Sequence, residues 1–298
     1  METLNLLLSI DLNYIIIGLI VIFFTLEQVV TTQFKYNKRP QHFFNNILFQ
    51  VVFFIGNIFW ATVTVFSIEW LNHNQVGLFY LIDLPVWVKL LLGVAMIDLV
   101  TYWFHRMSHR VPLLWRFHRV HHSDTSMDSS TYFRSHPFEL LLWFGTSNII
   151  ASALFGLDLM TLGVYFLIGT PFFIIEHANL RLPTWVDKTF GLVFTTPNIH
   201  KVHHEKDQHY TDSNYADIFI LWDRLFGTYK YKPAEQIQIG LEEFDDAKKQ
   251  TFWYLFKSPF LNLKRVASNS ILINELPESQ IVKTNSRSHT ARAGTAYH

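Results

Sequence analysis

Histidines recur at short, regular intervals in two distant parts of this 298-residue chain. His105 and His109 are four residues apart, and residues 118–122 read His-Arg-Val-His-His. The same His-x2-His-His spacing returns at residues 200–204. Side chains three or four residues apart lie on one face of an α-helix, so the rings of each group can converge on one ion. Nitrogen ligands of this kind suit zinc, copper, iron or nickel, whereas magnesium prefers oxygen.

The number of histidines exceeds what one ion needs, and this excess predicts a two-metal site. We expect His136 and His177 to join the three groups, because they flank an apolar hairpin that should leave and re-enter one side. The alternative for these two is a hydrogen-bonding role beside the ligands. The candidate metal ligands are His105, His109, His118, His121, His122, His136, His177, His200, His203 and His204.

Three further polar residues could support these ligands, and no catalytic residue separate from the ligands is predicted. Asp98 precedes His105 by seven residues on the same helical face, so its carboxylate could fix the tautomer of a ligand or pair with an arginine. Asp212 and Asn214 could do similar work or cap a helix. The other histidines, such as His42 and His73, are isolated and are expected at solvent or at an interface.

The composition indicates a membrane protein with a polar part. Half of the residues are hydrophobic and 16% are charged, whereas an average soluble domain has roughly a quarter charged residues. The formal net charge is zero, which gives no indication of a nucleic-acid partner. The chain has no cysteine, so thiolate ligands, disulfides and iron–sulfur clusters are excluded.

Long apolar stretches provide the elements that must position the histidines. Residues 14–30, 43–70 and 78–104 each contain about the 20 residues that a spanning helix needs. Two more stretches, 138–155 and 159–175, either span the membrane or re-enter on the same side. The prediction is an all-α integral membrane protein with four to five membrane-embedded helices and a cytoplasmic helical cap that holds a histidine-rich dimetal site.

The distribution of basic residues predicts how the chain is oriented in the membrane. The basic loop at residues 35–39 should be cytoplasmic, because positively charged loops remain on that side. The third apolar stretch then delivers His105 and His109 to the cytoplasmic face, together with the arginines between the histidines. The expected location is a bacterial inner membrane or the endoplasmic reticulum.

Several motifs resemble those of the fatty acid hydroxylase/sterol desaturase superfamily. They are the three histidine groups, the stretch Asp98-Leu-Val-Thr-Tyr-Trp-Phe-His105, and Trp222-Asp-Arg-Leu-Phe-Gly-Thr228. The resemblance covers residues 84–229, and its one departure is Ala216, where glycine more often follows the tyrosine. It implies a non-haem di-iron enzyme that uses O2 and hydroxylates or desaturates a membrane lipid of the sterol or fatty-acyl type.

This resemblance also defines the expected partners and domains. Electrons should come from a separate electron-transfer protein or reductase, because no flavin or nicotinamide motif is present. The expected division is membrane helices at 1–80, a fatty acid hydroxylase/sterol desaturase-type catalytic domain at 81–230, an interfacial segment at 231–266 and a disordered tail at 267–298.

Other functions stay open at the level of sequence. Within the enzyme class, the alternative is an alkylglycerol ether-lipid monooxygenase, whose relatives share these histidine groups. Outside it, the alternatives are a membrane metal transporter and a non-catalytic scaffold with a structural zinc site. The sequence does not identify the lipid, the electron donor, the oligomeric state or the ion that each histidine binds.

Overall fold

The computed structural model describes residues 12–29, 34 and 39–263. In that part of the chain every regular element is a helix, and the one β-bridge is an isolated pairing of Glu205 with Ile239. The predicted all-helical fold is therefore confirmed for these residues. The predicted disordered tail at 267–298 and most of the basic loop at 35–39 lie outside the described residues.

The described part of the chain contains eleven α-helices. They are α1 (Leu12–Val29), α2 (Arg39–His73), α3 (Val86–Arg110), α4 (Pro112–His122), α5 (Pro137–Phe155), α6 (Leu159–Ile175), α7 (Thr184–Thr189), α8 (Pro197–His203), α9 (Gln208–Thr211), α10 (Leu221–Leu225) and α11 (Phe252–Lys257). Short 3-10 turns connect them, among them Ser129–Phe133 between α4 and α5.

Three of the segments are long and apolar enough to cross a membrane: Pro40–Tyr80, Val86–Arg110 and Pro137–Phe155. Two shorter apolar helices, Tyr14–Glu27 and Leu159–Ile175, accompany them. Helix α2 leaves large apolar side chains such as Ile55 and Phe59 about two-thirds exposed. Exposed apolar surface of this kind is stable against lipid rather than water.

The turn between α3 and α4 brings the first two histidine groups together. Helix α3 ends at Arg110, Val111 is extended, and Pro112 occupies the first turn of α4. Proline fits this position because the first helical N–H needs no partner within the helix. The chain therefore reverses within two residues, and the histidines near the end of α3 face those on α4.

Helices α5 and α6 lead out and back as the predicted hairpin, although they pack mainly against α2 and α3 rather than against each other. Gly156 ends α5 in the left-handed conformation (φ 74°), and a Cβ there would lie 2.8 Å from Cδ2 of Tyr80. Asp158 then caps α6, where its side chain accepts a 2.8 Å hydrogen bond from the amide of Thr161. The hairpin returns the chain to His177, which follows α6 and lies in the histidine cluster.

Buried apolar residues join the membrane helices to the polar part. One core cluster includes Val94 and Ile97 of α3, Tyr165 and Phe173 of α6, and Ile218 from the segment before α10. This core thus fixes the segment before α10 against α3 and α6.

Candidate metal centre

Nine buried histidines form two compact groups in the described part of the chain. In each group, one ring nitrogen from every member lies within 4.8 Å of the others. Group 1 consists of His105, His109, His118, His122 and His203, and group 2 consists of His121, His177, His200 and His204.

The two His-x2-His-His segments each contribute to both groups. Helix α4 gives His118 and His122 to group 1 but His121 to group 2. Residues 200–204 do the reverse, since His200 and His204 belong to group 2 and His203 to group 1. Neighbouring residues on a helix are turned by about 100°, so the adjacent histidines of each pair belong to different groups. The sequence left open which histidines share an ion, and the structure divides each segment between the two groups.

Hydrogen bonds to Nδ1 set the tautomers of several rings. The Nδ1–H groups of His105, His177 and His203 donate to the backbone oxygens of Tyr215 (2.7 Å), Phe173 (2.6 Å) and Ser213 (2.6 Å). A carbonyl can only accept, so Nε2 of each ring is left with its lone pair. This arrangement is typical of histidines that bind metal through Nε2.

Acidic side chains do the same for two other rings. Nδ1 of His118 lies 2.5 Å from Oε1 of Glu139, and Nδ1 of His109 lies 3.2 Å from Oδ1 of Asp212. A carboxylate that accepts from Nδ1 orients the ring and makes Nε2 a better metal ligand.

The distances between the lone-pair nitrogens indicate that cations belong between them. In group 1, Nε2 of His118 lies 3.1 Å from Nε2 of His105 and 3.0 Å from Nε2 of His122. In group 2, Nε2 of His177 lies 3.1 Å from the Nε2 atoms of His121 and His200. Two nitrogens at about 2.1 Å from one ion and at right angles to each other would be about 3.0 Å apart.

Burial keeps these rings neutral. Removal from water lowers the pKa of His118 to about 3 and the pKa of His177 to about 4, because desolvation disfavours the charged form. Nε2 of His203 is buried and has no hydrogen-bond partner among the described residues. Neutral rings with unsatisfied, converging nitrogens are the donor set that a transition metal requires.

His136 lies outside both groups. Its Nδ1 accepts a 3.3 Å hydrogen bond from the amide of Phe138 and caps α5, and its Nε2 donates to the backbone oxygen of Phe256 at 3.1 Å. Both ring nitrogens are therefore used within the protein, and the structure does not bring this residue to the other nine candidates.

The three supporting residues have different positions. Asp212 contacts His109 as described above, whereas Asp98 accepts hydrogen bonds from the amides of Ile218 and Phe219 and from Nε1 of Trp222. Asp98 thus holds the segment before α10 rather than a histidine. The side-chain amide of Asn214 donates to the backbone oxygens of Ile199 and Lys230. These bonds tie the region after His204 to α8.

The isolated His42 has an acidic partner. Its side chain is only 9% exposed, and its Nε2 lies 2.8 Å from Oδ2 of Asp124, two residues after His122. The same carboxylate oxygen accepts from Oγ1 of Thr131. The spacing of His42 in sequence gave no signal for this contact, because its partner is 82 residues away.

Two acidic residues beside the histidines were not predicted from sequence. Glu139 contacts His118, and the carboxylate oxygens of Glu176 lie 3.7 Å and 3.5 Å from Nδ1 of His177 and of His200. The available signal was their position: Glu176 adjoins a candidate ligand, and Glu139 lies three residues after His136 in an apolar segment. Charged residues inside such segments are usually functional.

A cavity opens onto both groups. It has a volume of about 690 Å³ including its open side, and five histidines line it: His105, His118, His121, His177 and His200. Phe53 of α2, Leu140 of α5 and Phe173 of α6 form apolar parts of its wall, while Glu176 and Asp217 line it as well. Burial raises the pKa of both acids.

The sequence matches a known family in the region that carries the site. Residues 90–228 match the fatty acid hydroxylase family, which confirms the resemblance found in the motifs. This range contains all nine clustered histidines. No solved structure is significantly similar to the chain.

Curated relatives extend the match beyond this range. The chain is 28% identical to human alkylglycerol monooxygenase over 232 residues, which are 74% of this chain and 44% of the relative. It is 26% identical to the ornithine lipid hydroxylase OlsE of Rhizobium tropici over 232 residues, or 74% and 67% of the two chains. It is 32% identical to the very-long-chain aldehyde decarbonylase GL1-11 of Oryza sativa over 168 residues, or 54% and 62%. The chain spans less than half of the alkylglycerol monooxygenases that it matches.

Proposed function

Because residues 90–228 match the fatty acid hydroxylase family, we propose that the protein is an O2-dependent di-iron oxidoreductase that hydroxylates or desaturates a membrane lipid. The observation that carries the proposal is the pair of histidine groups, in which neutral rings direct their nitrogens at two separate points. The names of the relatives support it, since two of them are a monooxygenase and a hydroxylase of lipids.

The nine clustered histidines are the proposed ligands, five for one ion and four for the other. His136 is left out of this set, because both of its ring nitrogens are engaged elsewhere. Two irons held there would supply the activation of O2 and the oxidation of an unactivated C–H bond. Imidazole is a suitable ligand for iron, and the family that the domain matches favours iron over zinc or copper.

The protein's own residues hold the histidine rings in position and exclude water from the site. Glu139 and Asp212 hold two rings at their Nδ1 atoms, and the backbone oxygens of Tyr215, Phe173 and Ser213 hold three more. All nine histidines are buried. The cavity wall at Phe53 and Leu140 belongs to helices that could span the membrane, so an apolar chain would enter the cavity from the bilayer.

We place the active site at the cytoplasmic face of a bacterial inner membrane or of the endoplasmic reticulum. The support is the arginine-rich spacing around the histidines at the end of α3, since basic residues favour that side. In this arrangement the membrane helices occupy residues 1–80, the catalytic domain 81–230 and an interfacial segment 231–266. A separate electron-transfer protein or reductase would supply the electrons.

A second candidate is oxidative cleavage of an alkylglycerol ether. It is favoured by the alkylglycerol monooxygenases among the relatives, and it would use the same histidines and the same cavity. A scaffold with one structural zinc is less consistent with the site, because four ligands complete a structural zinc site, whereas nine histidines are clustered here.

Metal content and lipid products together test the proposal. The full chain, purified from cells grown with iron, is expected to hold about two irons, at the five and four nitrogen ligands that each group offers. Cells that express the chain should contain a lipid that has gained one oxygen or lost two hydrogens, detected by mass spectrometry. The variant His203→Ala should lose both iron and the product.

The matched control is His209→Ala, which removes an exposed histidine outside both groups. It should keep the iron and the product. A single zinc in the purified protein, or a His203→Ala variant with unchanged iron and unchanged lipids, would overturn the proposal.

A further inference from the structure

Glu27 is the one charged residue of helix α1, which contains no histidine and precedes the range 90–228 that matches the family. Its side chain is buried, with 3% exposed, although Val29 on the same turn is 77% exposed. A buried charge is costly unless it has partners. A helix that exposes apolar side chains and buries its carboxylate therefore does so for a specific contact.

The partners of Glu27 are two backbone amides beside the histidines. Its Oε1 accepts hydrogen bonds of 2.9 Å from the amides of Ser129 and of Asn179. Ser129 begins the 3-10 turn that follows α4, and Asn179 lies two residues after His177. Both residues are fully buried. One oxygen on α1 thus joins the chain that leaves α4 to the chain that leaves α6.

The side chain of Asn179 provides a second connection to the N-terminal part of the chain. Its Oδ1 accepts from the amide of Phe34, and its Nδ2 donates to the backbone oxygen of Phe34, both at 2.9 Å. The segment after His177 is therefore held by its backbone through Glu27 and by a side chain through Phe34.

Glu27 also acts on α8, the third segment that carries histidines of group 2. Lys201 lies between His200 and His203 on this helix and is fully buried. Its Nζ donates to the backbone oxygen of Leu180 at 2.5 Å. The carboxylate of Glu27 is close enough to attract this ammonium group, because opposite charges favour each other in a buried site.

Group 2 depends on such contacts more than group 1 does. Four of the five histidines of group 1 lie on α3 and α4, which a turn of two residues joins. Group 2 takes His121 from α4, His177 from the segment after α6, and two more histidines from residues 200–204. No short turn connects these three segments, so tertiary contacts must set their distances.

We propose that Glu27 is a positioning residue for group 2, which holds His177 at the distance from His121 and His200 that one ion requires. This inference rests on the proposed function, because that function puts an ion at group 2, and it adds α1 to the site. Residues that orient ligands affect the affinity for the metal although they do not touch it. Helix α1 is in this way part of the metal centre as well as part of the membrane domain.

Titration of the metal-free full chain with Co²⁺ in detergent tests this role. Co²⁺ binds imidazole nitrogen, and its visible absorption counts the bound ions without any lipid oxidation. In the wild type both groups should fill together, because α4 and α8 contribute to both. Glu27→Leu removes both hydrogen bonds, and we expect the Co²⁺ affinity of group 2 to fall at least about 10-fold. A form with one Co²⁺ should then accumulate.

Three further variants separate positioning from a general loss of stability. Glu27→Gln keeps an oxygen that can accept from both amides, so its titration should lie closer to that of the wild type. Glu69→Leu makes the same change at an exposed acid of α2 and should fill both groups together. Gly156→Ala strains a turn (φ 74°) at the opposite end of α6 from His177. It should lower the thermal midpoint while both ions still bind together.

The inference is overturned if Glu27→Leu fills both groups together as the wild type does, or if Glu27→Gln is as weak as the leucine variant. It is also overturned if Gly156→Ala accumulates the same form with one Co²⁺, since the effect would then follow from stability alone. If Glu27→Leu does not fold, Glu27→Asp decides, because its carboxylate is one carbon shorter and should also give the one-Co²⁺ form. An iron-loaded wild type that oxidises no lipid counts against the proposed function, whereas the Co²⁺ titrations still decide the role of Glu27.

Discussion

Nδ1 of His118 lies 2.5 Å from Oε1 of Glu139, although the two residues are on different helices and 21 positions apart. Nε2 of the same ring faces the nitrogens of two other group 1 histidines. The carboxylate accepts the Nδ1 hydrogen, so the lone pair is on the nitrogen that faces the proposed ion. One acid on a candidate membrane helix thus fixes both the tautomer and the orientation of a proposed ligand.

Because of this contact, substitutions at Glu139 should lower the iron affinity to different degrees. Glu139→Gln keeps an oxygen that can accept from Nδ1, whereas Glu139→Leu keeps only the bulk. We expect iron affinity to fall about 10- to 100-fold in the leucine variant and less in the glutamine variant. Competition with a chelator measures both. Glu242→Gln, at an exposed acid, is the control, and equal affinity in all three variants would contradict the role of Glu139.

Substitution of His136 should leave metal binding unchanged, because this residue lies outside both groups. His136→Asn retains a good helix cap but loses the bond to the backbone oxygen of Phe256. We expect unchanged metal content and a loss of about 1 kcal/mol in the free energy of unfolding. His177→Asn, at a group 2 histidine, should lose metal. A drop of one ion in His136→Asn would show that His136 is a ligand.

The metal-free protein should become less stable as the pH falls from about 6.5 to about 4. The pKa of His177 is lowered to about 4 and that of His118 to about 3, so in this window the unfolded chain binds protons that the folded chain does not. At about 1.4 kcal/mol for each pKa unit, His177 alone could account for up to about 3 kcal/mol.

The thermal midpoint of the chelated full chain, measured between pH 7.5 and 4.5, tests this expectation. His177→Gln removes one of the titrating groups and should flatten the dependence, whereas His209→Ala should not. A midpoint that stays constant or rises towards pH 4.5 would contradict neutral, buried rings.

A side chain at Gly156 should destabilise the turn between α5 and α6. Its φ of 74° and the 2.8 Å approach of Tyr80 leave no room for a side chain. Gly156→Ala should therefore destabilise the protein by about 1–2 kcal/mol. Gly18→Ala, where a Cβ meets nothing within 4 Å, should be neutral or slightly stabilising, because alanine favours a helix. Thermal unfolding of the two variants compares them directly.

The helical spacing of the histidines predicted most of the residues that cluster, because that information is local. His105 and His109 need only one helix to share a face, and they do lie in one group. The hairpin that returns the chain to His177 was also predictable, since two apolar stretches around a glycine and an aspartate indicate such a turn. These features depend on residues that are near each other in sequence.

Other features of the site depend on tertiary contacts and left no local signal. His121 and His203 are each turned by about 100° from the adjacent histidine, so each belongs to a different group from its neighbour. The group that each one joins depends on how α4 and α8 are placed relative to each other. The contact of His42 with Asp124 and that of His118 with Glu139 likewise join distant segments. Hydropathy similarly predicted the apolar stretches, but it did not predict which helices pack against each of them.

With two irons bound as proposed, the exchange of His121 and His203 between the two groups would make metal loading a linked equilibrium. Helix α4 cannot be oriented for one ion without also being oriented for the other, and α8 is subject to the same constraint. The first ion therefore contributes part of the ordering that the second would otherwise require, which raises the affinity of the second. The chain should fill in a single cooperative step, so that a half-loaded protein is scarce at every concentration of iron.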